Sequence, residues 1–281
     1  MKQEVLIVAT LICTSAVLQA GKLGEPKDIA FKAAVDGTEQ RYVQMLPENF
    51  DPAKTHNVLI ALHGHGSDRQ QCIASPYQEF AAARDAAAKY EMIYISPDYR
   101  AATSWMGPKA EADMVQIIND LRKQYTIGKV FLTGASMGGS SVLTFTAIHP
   151  DLVAGVCSQN GTANHFEYQN FQDAIQASFG GTKAAIPLEY KKRSAEYWPE
   201  AFTMPIAIAA GGKDTSVPAP SVLRLAAVLK EMKRPVLLTY REDGAHSTDL
   251  ADTTAGLEFV IRGALGLPTN TVTDAAAPVA K

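Results

Sequence analysis

The sequence predicts one α/β domain, a mostly parallel central sheet with helices on both faces, and three observations carry this. Short apolar runs of strand length alternate with longer helical patterns from residue 41 to residue 264, as successive strand-helix-strand units do. The chain has 281 residues, 47% of them apolar and 20% charged, so it is long enough to bury one large core. One of the apolar runs closes on Gly134-Ala135-Ser136-Met137-Gly138 immediately before a helical pattern, a strand, tight turn and helix in succession.

The elements follow in order. Met1-Lys2-Gln3-Glu4 leads into an apolar stretch from Val5 to Leu18, interrupted by Thr10, Thr14 and Ser15, and then reaches Ala20-Gly21. That layout reads as a secretory signal peptide over residues 1–20, too short to be a comfortable membrane span; the alternative is a retained anchor. The expected address is therefore secreted or periplasmic, with no stable membrane association after cleavage. A polar segment over 22–31 precedes the first strand. Strands are predicted over 41–46, 58–62, 92–96, 129–132, 152–156, 206–209 and 236–240, and helices over 78–89, 111–124, 137–148, 221–231 and 249–264. The stretch 160–200 breaks this rhythm with aromatic and polar groups and a Gly180-Gly181 break; it is expected to form short helices beside the site and to contribute to substrate selection. The folded domain thus spans 21–267. The Ala, Thr and Pro composition of 268–281 has little to bury and predicts a disordered tail. Once the leader is gone, Cys72 and Cys157 remain, either as one disulfide or as two separate buried thiols. The net charge of −3 supplies no basic stripe, so the expected partner is a small neutral ligand and not a nucleic acid.

A serine thrust out of a tight strand-to-helix turn sits in a strained backbone conformation with no room for side chains beside it, which is what the glycines around Ser136 provide. A serine hydroxyl becomes a nucleophile when an imidazole takes its proton, and the imidazole needs a carboxylate to fix its tautomer and stabilise its cation. Of the six histidines, His246 lies in a small-residue loop, Asp243-Gly244-Ala245-His246-Ser247, after the last strand. His149 before Pro150 reads as a helix C-cap, His165 as a surface residue of the irregular stretch or, alternatively, a substrate contact, and His56 as solvated. Asp214 ends Gly211-Gly212-Lys213-Asp214 on a turn at the carboxyl end of the 206–209 strand; Glu242, Asp243 and Asp98 compete with it. The oxyanion hole needs two backbone donors. The first is the amide of Met137, and the second belongs to the loop His63-Gly64-His65-Gly66, His65 before Gly66. His63, His65 and Asp68 have no further ligand cluster at useful spacing, so neither a metal nor another cofactor is expected. Trp105, in the loop after the 92–96 strand, either stacks on a sugar or aryl group of the substrate or packs its own loop; Tyr168, Phe171 and Trp198 either line the pocket or belong to the core.

With His63-Gly64-His65-Gly66, Gly134-Ala135-Ser136-Met137-Gly138-Gly139, Gly212-Lys213-Asp214 and Gly244-Ala245-His246 in this order, the chain resembles the α/β-hydrolase superfamily across nearly all of the mature sequence. Within it, the chain looks most like secreted feruloyl and acetylxylan esterases and polyhydroxybutyrate depolymerases, and like the catalytic domain of prolyl oligopeptidases. The resemblance implies the α/β-hydrolase fold, a Ser136, Asp214 and His246 triad and an acyl-enzyme. The expected activity is that of a serine carboxylesterase acting on a small-molecule or polysaccharide-linked ester. A prolyl-oligopeptidase-like peptidase and a non-catalytic binding protein on the same scaffold are the alternatives.

Overall fold

The computed structural model describes residues 21–268. The leader expected over 1–20 and, from residue 269 on, the expected tail lie outside the described residues. Eight strands form one sheet: β1 Lys27–Lys32, β2 Glu39–Met45, β3 His56–Leu62, β4 Ile93–Pro97, β5 Ile127–Ala135, β6 Gly155–Gln159, β7 Ile206–Gly211 and β8 Val236–Arg241, in the order β1-β2-β4-β3-β5-β6-β7-β8. β2 runs antiparallel to β1 and to β4, and every other neighbouring pair is parallel. The helices are α1 Gln71–Ala74, α2 Gln78–Lys89, α3 Pro108–Gln124, α4 Met137–Ile148, α5 Gln172–Phe179, α6 Pro187–Lys192, α7 Pro220–Glu231 and α8 Leu250–Leu265.

The two-residue side-chain period of a strand sends alternate residues to opposite faces, and β3 shows the consequence. Ile60 and Leu62 join Met114, Ile117, Val142, Phe145 and Leu225 in a core built with α3, α4 and α7. Leu59 and Ala61 join Phe80, Ala83, Leu257 and Val260 in a second core built with α2 and α8. Both faces of the sheet are therefore covered at its centre, and β3 and β4 read as apolar runs for that reason.

Several elements differ from the sequence reading, among them helix α1, which it did not predict, and β5, which runs on to Ala135. The segment read as polar over 22–31 contains β1, an edge strand of which only Ile29 and Phe31 are part-buried; its alternating pattern Lys-Asp-Ile-Ala-Phe-Lys is that of a strand with one face in water. β6 begins three residues later than the apolar run starting at Leu152 suggests, because Pro150–Leu152 close a 3₁₀ turn directly after α4. Cys72 and Cys157 are free thiols, both buried, and burial pushes both up to about 12. The stretch 160–200 holds α5, α6 and two short 3₁₀ turns. A fully buried arginine ties it to the rest: Arg193 donates to Glu189 at 2.7 Å, to Glu111 on α3 at 2.7 Å and to the carbonyl of Met106 at 2.6 Å. Among the described residues, no helix is long and apolar enough to cross a membrane.

Candidate active site

Ser136 stands between β5 and α4 with φ 59° and ψ −121°. A non-glycine residue held there costs on the order of 1–3 kcal/mol, which its surroundings must offset. They do so through the Ser136 amide, which donates to Gln159 O at the end of β6 (2.9 Å), and through the Ser136 carbonyl, which accepts from Ser140 N in α4 (2.9 Å). The flanking glycines answer to packing. A Cβ on Gly134 would lie 2.6 Å from the Gly138 carbonyl, and one on Gly138 would lie 2.2 Å from Leu62 O at the end of β3. The glycine spacing thus lets α4 start hard against the carboxyl ends of β3 and β5, which projects the serine above the sheet.

His246 sits on the loop between β8 and α8, with Nε2 2.9 Å from Ser136 Oγ and Nδ1 2.6 Å from Asp214 Oδ2. Asp214 follows β7; its side chain is 1% exposed, and its Oδ1 accepts the amides of Ser216 and Val217 at 2.9 Å each. These two amides hold the carboxylate in one orientation. A carboxylate only accepts, so His246 must carry its proton on Nδ1 and present an Nε2 lone pair to the serine hydroxyl. The competing acids are engaged elsewhere or exposed: Asp98 pairs with Arg69 at 2.9 Å, Asp243 pairs with Lys213 at 2.5 Å, and Glu242 lies in solvent.

Of the two candidate donors in the loop after β3, Gly66 spends its amide on Ala102 O at 2.7 Å. The amides of His65 and Met137 make no hydrogen bond among the described residues, and Met137 opens α4, where the first N–H groups of a helix lack partners. His63 is fully buried and anchors this loop, its ring nitrogens 2.8 and 3.2 Å from the carbonyls of Gly64 and Asp98.

Ser136 and His246 open onto a cavity of about 690 Å³, a size that suits small ligands. Its wall includes His65, Tyr77, Glu79, Asn160, Phe171 and Thr248. The structure corrects the expectation that Trp105 stacks on substrate. Its side chain is fully buried, packed against the rings of Tyr168 and Phe171, and donates from Nε1 to His65 Nδ1 at 3.1 Å. Of the aromatic residues singled out in the sequence, Phe171, 40% exposed, lines the cavity, whereas Tyr168 is buried and donates to Ser216 O at 2.7 Å beside the turn that carries Asp214. His165, read as a surface residue, is fully buried against Thr144, and burial pushes its pKa down to about 3. His56, read as solvated, is buried and faces the Asp51 carbonyl at 2.8 Å. His149 caps α4 and meets Glu111 at 3.0 Å.

The sequence reading missed Tyr77, Glu79, Asn160 and Thr248. Asn160 had a usable signal, since it directly follows a parallel strand at its carboxyl end; its amide nitrogen Nδ2 donates to Thr248 at 3.0 Å and so links β6 to the loop that carries His246. Glu79 lies on the first turn of α2, and burial raises its carboxyl above the usual range.

The order of the strands and the serine at the end of β5 define an α/β-hydrolase of the serine hydrolase class. The chain belongs to the prolyl oligopeptidase family, whose model matches residues 99–258, more than half of the sequence and inclusive of Ser136, Asp214 and His246. Among curated proteins, none matches. Solved structures share the fold at low identity. A protein described as a dipeptidyl aminopeptidase IV from Bacteroides ovatus is 18% identical with a TM-score of 0.68, over 88% of this chain and 36% of that one. The acylaminoacyl peptidase of Pyrococcus horikoshii is 16% identical with a TM-score of 0.66, over 90% of this chain and 43% of that one. A ferulic acid esterase from Anaeromyces mucronatus is 16% identical with a TM-score of 0.61, over 87% of this chain and 93% of that one. The chain therefore spans well under half the length of the two peptidases and nearly all of the esterase.

Proposed function

We propose that the protein is an exported serine carboxylesterase that works through a Ser136, His246 and Asp214 triad and an acyl-enzyme. The observation that carries this reading is the continuous pair of hydrogen bonds from Ser136 Oγ through His246 to Asp214, with the serine on the wall of an open cavity. Ser136 Oγ attacks the ester carbonyl carbon while His246 Nε2 takes the hydroxyl proton, and Asp214 stabilises the imidazolium through Nδ1–H. The oxyanion is held by the amides of Met137 and His65, each worth about 3 kcal/mol in such sites. His246 then returns the proton to the departing alkoxide, and water, deprotonated by the same nitrogen, releases the acid and restores the serine. The fold shared with the ferulic acid esterase supports a carbohydrate-linked or aryl acyl ester as the substrate class.

One observation favours a second reading, an aminopeptidase. Glu79 and Asp249 both line the cavity, and two carboxylates there would suit a substrate amino group. The family match and the peptidase fold neighbours support the same reading. Turnover of p-nitrophenyl butyrate and methyl ferulate, set beside aminoacyl p-nitroanilides, separates the two. Ester turnover alone supports the esterase, turnover of both classes supports the peptidase, and turnover of neither sinks both.

A further inference from the structure

His65 has a side chain whose protonation the geometry dictates. The indole N–H of Trp105 can only donate, and it lies 3.1 Å from His65 Nδ1. Nδ1 must therefore be the unprotonated, accepting nitrogen, which leaves the hydrogen of a neutral imidazole on Nε2. Protonating the ring would set a second N–H against the indole N–H, so the contact opposes the imidazolium; burial acts in the same direction and holds the pKa of His65 below the usual histidine range. Trp105 has little freedom to turn away. It is fully buried, its backbone φ is 43°, and the rings of Phe171, Tyr168 and His165 lie 5.5, 5.6 and 6.1 Å from its own. Phe171 also packs on the His65 ring at 4.5 Å, so the imidazole is held on one side by a hydrogen bond and on another by an aromatic face. His65 Nε2 makes no hydrogen bond among the described residues, and His65 lines the same cavity as Ser136 and His246.

We propose that the His65 imidazole is a neutral hydrogen-bond donor, through Nε2–H, to an acceptor oxygen of the bound substrate, and that Trp105 is the positioning residue that fixes its tautomer. The proposal rests on the reading of this cavity as the ester-hydrolysing site. It places a side-chain donor on the wall in addition to the backbone amide of the same residue. It also gives the buried tryptophan a role that substrate stacking does not: Trp105 acts on the ligand only through His65. A donor locked in the neutral form keeps the same strength across the working pH range, and it cannot compete with His246 as a base, because its basic nitrogen is already occupied.

The test combines a spectroscopic and a kinetic arm. Nitrogen chemical shifts of the protein labelled with ¹⁵N-histidine, assigned by the signal lost in His65→Gln, are expected to show Nδ1 unprotonated and Nε2 protonated at pH 7.5, and Trp105→Phe is expected to let the ring titrate nearer the ordinary histidine range. A protonated Nδ1 or a charged ring in the unsubstituted protein overturns the proposal. In the kinetic arm, Gln places an N–H donor close to the position of Nε2 and Leu places none. His65→Leu is expected to lose about tenfold in kcat/KM for p-nitrophenyl butyrate, and His65→Gln to stay within about threefold of the unsubstituted protein. Equal losses in the two variants, both folded by circular dichroism, overturn the donor role. Serine-independent turnover, equal in Ser136→Ala, overturns the esterase reading and with it the substrate role of His65, while the tautomer assignment is judged separately by the spectra.

Discussion

Replacing Asp214 by Asn changes one atom of the relay and, by the geometry, inverts the histidine. The carboxylate is held by contacts of known direction. Oδ1 accepts from Ser216 N and Val217 N at 2.9 Å each, and Oδ2 accepts from His246 Nδ1 at 2.6 Å, with the side chain 1% exposed. An asparagine has two ways to sit there. With its oxygen on the two amides, its NH₂ faces His246 Nδ1 and donates to it. With the amide flipped, NH₂ would face two backbone N–H groups, and leaving those buried donors without an acceptor costs about 1–3 kcal/mol each. The first orientation wins by several kcal/mol, so His246 must then carry its proton on Nε2, where it blocks rather than accepts the Ser136 hydroxyl proton. In serine triads this inversion lowers kcat by about 10⁴-fold, or about 5.4 kcal/mol of transition-state stabilisation. Stability should change little, because every hydrogen bond of the turn keeps a partner. The assay is kcat for p-nitrophenyl butyrate beside a urea unfolding curve for each protein. A loss of less than tenfold, or a loss of similar size in Glu242→Gln, would refute the reasoning that Asp214 sets the tautomer.

Further outcomes follow from packing and burial. Gly138→Ala places its Cβ 2.2 Å from Leu62 O and should cost about 1–3 kcal/mol or prevent folding, whereas Gly64→Ala, with nothing nearer than 3.6 Å, should unfold within about 1 kcal/mol of the parent; equal urea midpoints would be the contrary result. Asp113 is 1% exposed, and burial pushes its carboxyl up from 3.8 to about 6, although it accepts from Arg100 at 2.7 Å. The folded protein thus binds this proton more tightly than the unfolded chain, so its contribution is full below about pH 3.8 and is lost as pH rises through about 6. About 2 kcal/mol of that contribution is lost between pH 4.5 and 7.5, and Asp113→Asn should remove this fall from urea curves taken at those two values; superimposable pH dependences in the two proteins would contradict it. Cys72 and Cys157, both buried thiols, should stay unlabelled by iodoacetamide at pH 8 until denaturant is added, and rapid labelling of the native protein would show the reading of their burial to be wrong.

Much of this architecture was legible because its signals are local. Residues 78–89 and 137–148 read as helices at their observed ends, and strands β3, β4, β7 and β8 fall within two residues of their observed ends; for β3, β4 and β7 this is because a strand covered on both faces is largely apolar. β1 was hidden by the opposite circumstance, an edge strand with a face in water and polar residues at both ends. β6 was misplaced because its last residues are polar yet buried: Ser158 Oγ donates to Gly139 O, and Gln159 supplies the carbonyl that holds the Ser136 amide. Hydropathy sees an apolar run ending, whereas the strand continues through Ser158 and Gln159 to meet α4 and the turn that carries Ser136. Ser136, Asp214 and His246, each singled out beside small residues at strand ends, stand in hydrogen-bond contact. The cavity wall was less legible. Tyr77 and Glu79 reach it from α2 and the turn before it, a placement set by tertiary packing and not by any local pattern. Trp105 shows the limit most plainly, since its position in a loop after a parallel strand left stacking on substrate and packing of its own loop equally open, while three rings from residues 165–171 cover it.

The central claim is that Ser136 is the nucleophile, activated by His246, and the most direct measurement is covalent capture by a fluorophosphonate followed by intact-mass and peptide mass spectrometry. The expected result is one adduct per chain on Ser136, absent in Ser136→Ala and formed at least 100-fold more slowly in His246→Ala. An adduct on another residue, or labelling of equal rate and extent in all three proteins, would contradict the account.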